Sequence, residues 1–503
     1  MAHTDELPPG PDFARGIPLA SVPATGVLAG RVGNDAVILA RLDDGLHAID
    51  GLCSHYSGPL GEGLRVGDEV RCPWHHACFS LRTGRARRAP AFATLGTWRV
   101  DVEGDQVFVR EKVAGSRHPS TPATPREHIV IIGGGAAGFA AAERLRTLGH
   151  AGSITMLSAD SDGPYDRPNL SKDYLAGTAP EDWIPLSSAK HYAKQKIDVR
   201  TASKVVAIHP LTHEVETREG ERFVYDALLL ATGAAPRPLR LPGFDRDNVF
   251  MLRSLADARA IIAACEGARS VALIGAGFIG LEAAGALRAR GLDVHVVAPD
   301  KVPFEKALGA ELGGFVQALH ADKGVQFHLG EKPASFDGKA LVLESGKRID
   351  VGFVLVGTGV APRTTLAEGA GMRIDNGVLV DPFLQTSLPD HYAAGDVAQF
   401  PLGDEHVRIE HWVHAERMGQ AAAANMLGAQ QPFDDVPFFW THHQGVEIRY
   451  SGHGQWDSVR IDGDFQKQDF TARYYRGDTL VAAASVGRDR ENLEIEQSLR
   501  VAR

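Results

Sequence analysis

A chain of 503 residues is too long for one hydrophobic core and predicts about three domains at ~150 residues each. Its 44% hydrophobic and 23% charged residues are ordinary for a globular protein, and a net charge of −10 leaves no basic footprint for nucleic acid. No apolar run approaches the about 18 residues a membrane span needs, the first residues carry no signal-peptide pattern, and four cysteines make no disulfide framework, so a cytoplasmic protein is expected.

Residues 1–113 read as a small β domain. Asp35 to Arg41 is a strand-like run, Asp43-Asp44-Gly45 a hairpin turn, and Leu46 to Ile49 the return. A second hairpin runs from Trp98 to Val102, turns at Glu103-Gly104-Asp105 and returns through Val107 to Arg110. Between them lie Cys53-Ser-His55 and Cys72-Pro-Trp-His75, separated by sixteen residues. A structural zinc site usually pairs cysteine with cysteine and histidine with histidine at short spacing. Here each loop offers one thiolate and one imidazole, which suits a Rieske 2Fe–2S centre, where two cysteines hold one iron and two histidines the other. Cys53, His55, Cys72 and His75 are therefore the expected ligands, and Cys78 reads as a small buried hydrophobe. With Ala77 in place of a hydroxyl donor, a potential near the low end of the Rieske range, about −150 mV, is expected.

Ala114 to Arg126 holds three prolines and no apolar periodicity, and reads as a semi-extended linker. Beyond it, Ile129 to Ile132 opens onto Gly133-Gly-Gly135-Ala-Ala-Gly138 and an Ala-rich helix. This is a dinucleotide turn: Gly133 for tightness, Gly135 for approach to a pyrophosphate, Gly138 for helix–strand packing. Gly275-Ala-Gly277-Phe278-Ile-Gly280-Leu-Glu282 repeats it, so two nucleotides are expected. The ribose-binding acid is absent from the usual place in both units, and Asp160 and Asp300, two residues on, are the candidates. No arginine cluster for a 2′-phosphate follows, so NADH is favoured over NADPH. Ala231-Thr232-Gly233 and Gly357-Thr-Gly359 each end a hydrophobic strand in small residues, where chain crosses between domains. Gly395-Asp396 ends another strand and is placed to hold ribityl hydroxyls and a phosphate. His442 and His443 have no partner at metal-ligand spacing and read as surface histidines.

The first segment resembles the Rieske ferredoxins that serve aromatic-ring dioxygenases. Pro164-Tyr-Asp-Arg167-Pro-x-Leu-Ser-Lys172, Gly277-Phe-Ile-Gly-x-Glu282, Gly395-Asp396, Glu410-His411-Trp412 and Phe439-Trp440 resemble the FAD-dependent reductases of oxygenase ferredoxins. With the Rieske segment in front, the chain resembles the Rieske-containing, apoptosis-inducing-factor-3-like branch of those flavoproteins. The resemblance implies that Arg167 and Lys172 contact FAD, with Lys172 near flavin N5 and paired with Glu282 as the catalytic pair. It also implies that Phe278 gates the nicotinamide slot, and that His411, Trp412 and Trp440 line the other side of the flavin. The only cysteine beyond the β domain is Cys265, so a dithiol relay is excluded and electrons must leave the flavin singly.

The expected fold is multidomain: an all-β Rieske domain, α/β Rossmann-like FAD- and NAD(P)-binding domains, and an α+β interface domain. The expected boundaries are 1–113 Rieske, 114–126 linker, 127–247 and 366–429 FAD-binding, 248–365 NAD(P)-binding and 430–503 interface. The expected function is an NAD(P)H oxidoreductase passing electrons through FAD to the 2Fe–2S cluster and on to an oxygenase, cytochrome or ferredoxin. No membrane span, no nucleic acid, and a monomer or homodimer are expected. The rivals are a redox-sensing flavoprotein and a quinone or small-oxidant reductase in which the Rieske domain only docks.

Overall fold

The computed structural model describes residues 7–113 and 125–501. The chain forms two compact units: Met1–Thr121 with Thr147–Gly149 and Arg488–Arg503, and Pro122–Arg146 with His150–Gly487. The expected linker falls on 114–124, outside the described residues, and on Pro125 and Arg126, where the Arg126 guanidinium donates to the Asp226 carbonyl at 2.9 Å. Among the described residues no helix is long and apolar enough to cross a membrane.

The first unit is a six-stranded antiparallel sheet with a smaller four-stranded one. Asp35–Leu42 and Gly45–Asp50 form the expected first hairpin, closing at Leu42 opposite Gly45, and Thr97–Glu103 with Gln106–Val113 form the second. Ile38, Leu60, Phe79 and Leu81 pack into an apolar core that also takes in Cys53 and Cys72. The helix Asp489–Val501, from the opposite end of the chain, completes this unit. Its Asn492, Glu496 and Leu499, at helical spacing, are buried, and Arg490 donates to the Gly63 carbonyl at 3.2 Å.

The second unit contains two parallel five-stranded sheets. The first has the order Ile197–Arg200, Ser153–Leu157, His128–Ile132, Ala227–Leu230, His391–Ala393. The second has the order Val249–Met251, Phe353–Val356, Ser270–Ile274, Asp293–Ala298, Gln326–Leu329. Each central strand feeds a glycine turn and a helix, Ala136–Thr147 and Phe278–Ala289, so each nucleotide turn sits at the carboxyl end of its sheet, where such folds bind ligands. A third, antiparallel sheet follows. Its central strands Val446–Gly452, Asp469–Arg476 and Thr479–Val486 carry alternating or continuous apolar runs that read as strand in the sequence. Its strands Phe438–His443 and Ser458–Asp464 do not announce themselves, the first because its paired histidines look like surface, the second because it is a polar edge.

Candidate cofactor sites

In the first unit the two ligand loops share one backbone form. Cys53 N–H donates to the Gly58 carbonyl at 2.9 Å, and Cys72 N–H to that of Ala77 at 2.8 Å. The fifth residue of each loop, Ser57 and His76, is left-handed at φ 59° and 60°. This doubling brings His55 Nδ1 within 3.3 Å of His75 Nδ1. It also presses the Cys53 thiol against that of Cys72; this contact, then burial, pushes the Cys53 pKa far up. Two metal-bound thiolates would relieve that crowding. Burial pushes His55 down to about 4, which leaves it neutral as an iron ligand must be. Two sulfurs together and two imidazoles together fit two irons with two ligands each.

His76 is engaged elsewhere. Its Nδ1 pairs with the buried carboxylate of Glu496, which also accepts from Arg88 Nη2 at 2.6 Å. Both partners were invisible to the motif reading, because 420 residues separate His76 from Glu496. Cys78 is buried, as a small hydrophobe would be.

In the second unit a continuous cleft of about 1450 Å³ is lined by both glycine turns. Gly133 has φ +114°, and a Cβ there would lie 2.2 Å from the Ala231 carbonyl oxygen. A Cβ on Gly138 would lie 1.9 Å from the Gly133 oxygen, so the helix can approach its strand only through glycine. Gly275 and Gly280 repeat both constraints in the second turn, with contacts of 2.4 and 2.6 Å. Gly135 instead faces the Arg167 guanidinium, with 3.4 Å between its would-be Cβ and Nη2.

Arg167 is held by the Arg253 carbonyl at 3.1 Å and lies 5.6 Å over the Trp412 ring. Burial, and then the charge of Arg253, holds its pKa below the usual guanidinium value. Arg253 Nη2 in turn meets Asp396 at 2.7 Å, and Arg363 also lines the cleft. Arg167, Arg253 and Arg363 bring guanidiniums, the donors that a diphosphate calls for, into the cleft beside the carboxylates Asp396 and Asp160, so the residues present fit FAD. Arg253 and Arg363 escaped the sequence reading; the only signal for Arg253 is its place just before the Ser254–Asp257 capping box.

Asp160 lines the cleft and accepts from Tyr165 Oη at 2.6 Å. The Asp300 carboxylate pairs with the exposed Lys306 at 3.9 Å. Ala231, Thr232, Gly233, Gly277, Gly359, Gly395 and Asp396 all line the cleft. An aromatic wall closes one side. Phe278 stacks on Phe304 at 4.6 Å and meets Phe439 edge-on at 4.9 Å, and His411 stacks on Phe439 at 4.2 Å. Burial pushes His411 down to about 4. Trp412 and Trp440 line the same cleft.

Lys172 Nζ donates to Glu282 Oε2 at 2.8 Å, and Ser171 Oγ donates to the same oxygen at 2.6 Å. Glu282 Oε1 takes the Thr441 hydroxyl at 2.6 Å. The surface reading of His443 is wrong: it is fully buried, because Thr441 and His443 share the inward face of their strand.

Residues 127–419 match the pyridine nucleotide-disulphide oxidoreductase family and residues 18–99 the Rieske [2Fe-2S] domain. Apoptosis-inducing factor 3 of Homo sapiens is 33% identical over 481 residues, 91% of this chain and 79% of that protein. The ferredoxin–NAD(+) reductase component of the anthranilate 1,2-dioxygenase system of Burkholderia cepacia is 36% identical over 72% of this chain and 91% of its own length. Among solved structures, the covalent putidaredoxin reductase–putidaredoxin complex superposes with a TM-score of 0.71 at 30% identity, over 75% of this chain and 93% of that one.

Proposed function

Since this chain belongs to the pyridine nucleotide-disulphide oxidoreductase family and carries a Rieske [2Fe-2S] domain, we propose that it draws electrons from NADH and delivers them, through FAD and its own cluster, to an acceptor protein. The observation that carries this reading is the cleft lined by both glycine turns together with the Lys172–Glu282 pair. Bound FAD supplies hydride acceptance and single-electron release, and a bound 2Fe–2S cluster supplies a one-electron store.

The chain's own residues divide the work. Arg167 and Arg253 hold the diphosphate, with the amide groups at the start of Ala136–Thr147. Lys172 keeps a positive charge where hydride transfer brings negative charge. Phe278, Phe439 and His411 exclude water from that side of the cleft. Only Cys265 lies within the matched reductase region, so no dithiol takes up an electron pair despite the family's name. Since relatives are named as reductase components of oxygenase systems, the acceptor is an oxygenase, a cytochrome or a ferredoxin. Cysteines kept out of disulfides suit the reducing cytoplasm.

Anaerobic titration of the full chain with NADH tests this. The flavin absorbance bleaches, and in the same titration a Rieske EPR signal appears, with average g below that of all-cysteine clusters. A bleached flavin beside an oxidised cluster would overturn the electron path, and stoichiometric zinc in place of iron would overturn the cluster itself.

A further inference from the structure

From Glu282 a line of hydrogen bonds leads away from the cleft through the interior of the second unit. Thr441 Oγ1 lies 2.6 Å from Glu282 Oε1 and 3.0 Å from His443 Nε2. His443 Nδ1 lies 3.2 Å from His320 Nε2, and His320 Nδ1 lies 3.3 Å from the Gln444 side-chain nitrogen. Thr441, His443 and His320 are at most 1% exposed, whereas Gln444 is half-buried beside the exposed Gly445. Three separate elements contribute: the helix Phe278–Ala289, the helix Ala310–Asp322 and the strand Phe438–His443. Gly285, on the same helix as Glu282, leaves room for the outer end, since a Cβ there would lie 3.2 Å from the Gln444 amide nitrogen and 3.5 Å from the His320 ring. Phe304 packs on His443 with ring centroids 5.6 Å apart. Polar groups so deep in an apolar setting, joined end to end, call for a purpose beyond packing, which a pair of apolar side chains would serve as well.

We propose that Thr441, His443 and His320 form a proton relay that loads Glu282 from solvent when the flavin is reduced and unloads it when the electrons leave. The proposal rests on the flavoprotein reading above. The relay has one self-consistent direction for each state of Glu282. With Glu282 ionised, Thr441 must donate to it. Thr441 then accepts from His443 Nε2, which places the His443 acceptor at Nδ1, facing a protonated His320 Nε2, and His320 Nδ1 in turn accepts from the Gln444 amide. Every hydrogen then points inward, so that a water proton taken up at His320 Nδ1, once the half-buried Gln444 amide turns aside, is passed on to Glu282. With Glu282 protonated toward Thr441, every bond reverses, both imidazoles change tautomer, and the Gln444 amide turns its oxygen inward. That arrangement sends a proton out.

The charged and titratable groups facing the relay are Lys172 and His442, besides Glu282 itself. Burial, reinforced by His442, pushes His320 down to about 4. Burial, then His320, Lys172 and His442, holds His443 well below the usual histidine range. Both rings therefore stay neutral, each with one donor and one acceptor, as a relay requires.

The balance is simple. Hydride transfer from NADH brings two electrons and one proton into the cleft and leaves one added negative charge, which the solvent proton on Glu282 compensates. When two one-electron acceptors have taken the electrons, the proton of the hydride and the proton on Glu282 both leave. The sum is NADH plus two oxidised acceptors giving NAD+, two reduced acceptors and one proton.

Stopped-flow mixing of anaerobic protein with NADH in weakly buffered solution containing a pH-indicator dye reads the two events together. In the wild type, flavin bleaching is accompanied by proton uptake, approaching one per flavin. In Thr441→Val and in His443→Phe the uptake slows by about 100-fold or more, the order of a single general acid–base contribution. Thr441→Ser, which keeps the hydroxyl, restores it. As a readout independent of turnover, 15N NMR of histidine-labelled protein shows His443 and His320 exchanging tautomer between the oxidised and dithionite-reduced states, a change that Thr441→Val abolishes. If the flavin bleaches without proton uptake, or if both variants take up protons at the wild-type rate, the relay is wrong while the flavin reading stands. If NADH fails to bleach the flavin at all, the reading beneath it falls too.

Discussion

Glu282 and Glu496 are both helix-borne carboxylates almost sealed from solvent, at 7% and 1% exposure, and they do different things. Glu496 is gripped by the Arg88 guanidinium and the His76 imidazole, next to the expected cluster ligand His75. A guanidinium cannot give up its proton, so this pair is a permanent charge contact that fixes the second ligand loop to the terminal helix. Glu282 meets an ammonium, two hydroxyls and the His442 backbone N–H, and one of those hydroxyls continues into two imidazoles. The ammonium, the hydroxyls and the imidazoles can each exchange a proton. Burial alone therefore does not tell a structural carboxylate from a working one; the chemistry of its partners does.

The largest effect should come from breaking the structural member. Glu496→Ala leaves the Arg88 charge in the interior without its carboxylate and should cost the first unit about 3–5 kcal/mol. Denaturant unfolding followed by cluster absorbance checks this, and the flavin signal should persist past the point at which the cluster is lost. Glu496→Gln, which keeps the shape and some hydrogen bonding, should cost less, about 1–3 kcal/mol.

On the working side the penalty should be kinetic. Lys172→Met should slow flavin reduction by NADH about 100-fold, the order seen when one preorganised electrostatic donor is removed. FAD content should remain near wild type, because Arg167 and Arg253 bear on the diphosphate independently of Lys172. A variant that reduces at the wild-type rate would remove Lys172 from the chemistry.

Acid should separate the two regions further. His320 and His411 have folded-state values near 4, and that of His443 is also depressed, all with burial as the leading cause. Unfolding lets each return to about 6.5 and bind a proton that the folded form refuses. Stability of the second unit is thus fully present above pH ~6.5 and declines as pH falls toward 4, by up to about 1.4 kcal/mol per pH unit for each histidine. Thermal melts monitored by flavin fluorescence across that range give the slope, and His443→Phe should flatten it.

The smallest effect belongs to a carboxylate that is neither gripped nor buried. Asp300→Ala should change the NADH dissociation constant by no more than about 0.5 kcal/mol, the usual range for an open surface site. Asp160→Ala, inside the cleft against Tyr165, should weaken FAD by about 1–3 kcal/mol, because the Tyr165 O–H loses its acceptor while its oxygen keeps the Leu255 N–H. Flavin release on dilution measures the latter.

Local spacing already determines much of this protein. A thiolate and an imidazole in each of two loops, and a strand opening onto Gly133-Gly-Gly135-Ala-Ala-Gly138, are short-range patterns. Their chemistry depends on backbone form within a few residues, as the matched ligand loops and the left-handed Gly133 bear out. The same holds for the two hairpins and the parallel nucleotide sheets, whose registers follow from turn residues and apolar runs. Lys172 and Glu282 were legible only through a nine-residue motif and its partner.

What tertiary structure alone decided is which distant residues share an interior. Glu496 reaches His76 across 420 residues, Arg253 reaches Asp396 across 143, and His320 reaches His443 across 123. No periodicity links such positions, since each side chain is placed by the packing of its own helix or strand. His442 and His443 show the limit most plainly. Adjacent in sequence and alike in chemistry, they take opposite faces of one strand, the second fully buried and the first only half so. Which face is inward depends on what that strand packs against, and that is a property of the folded molecule.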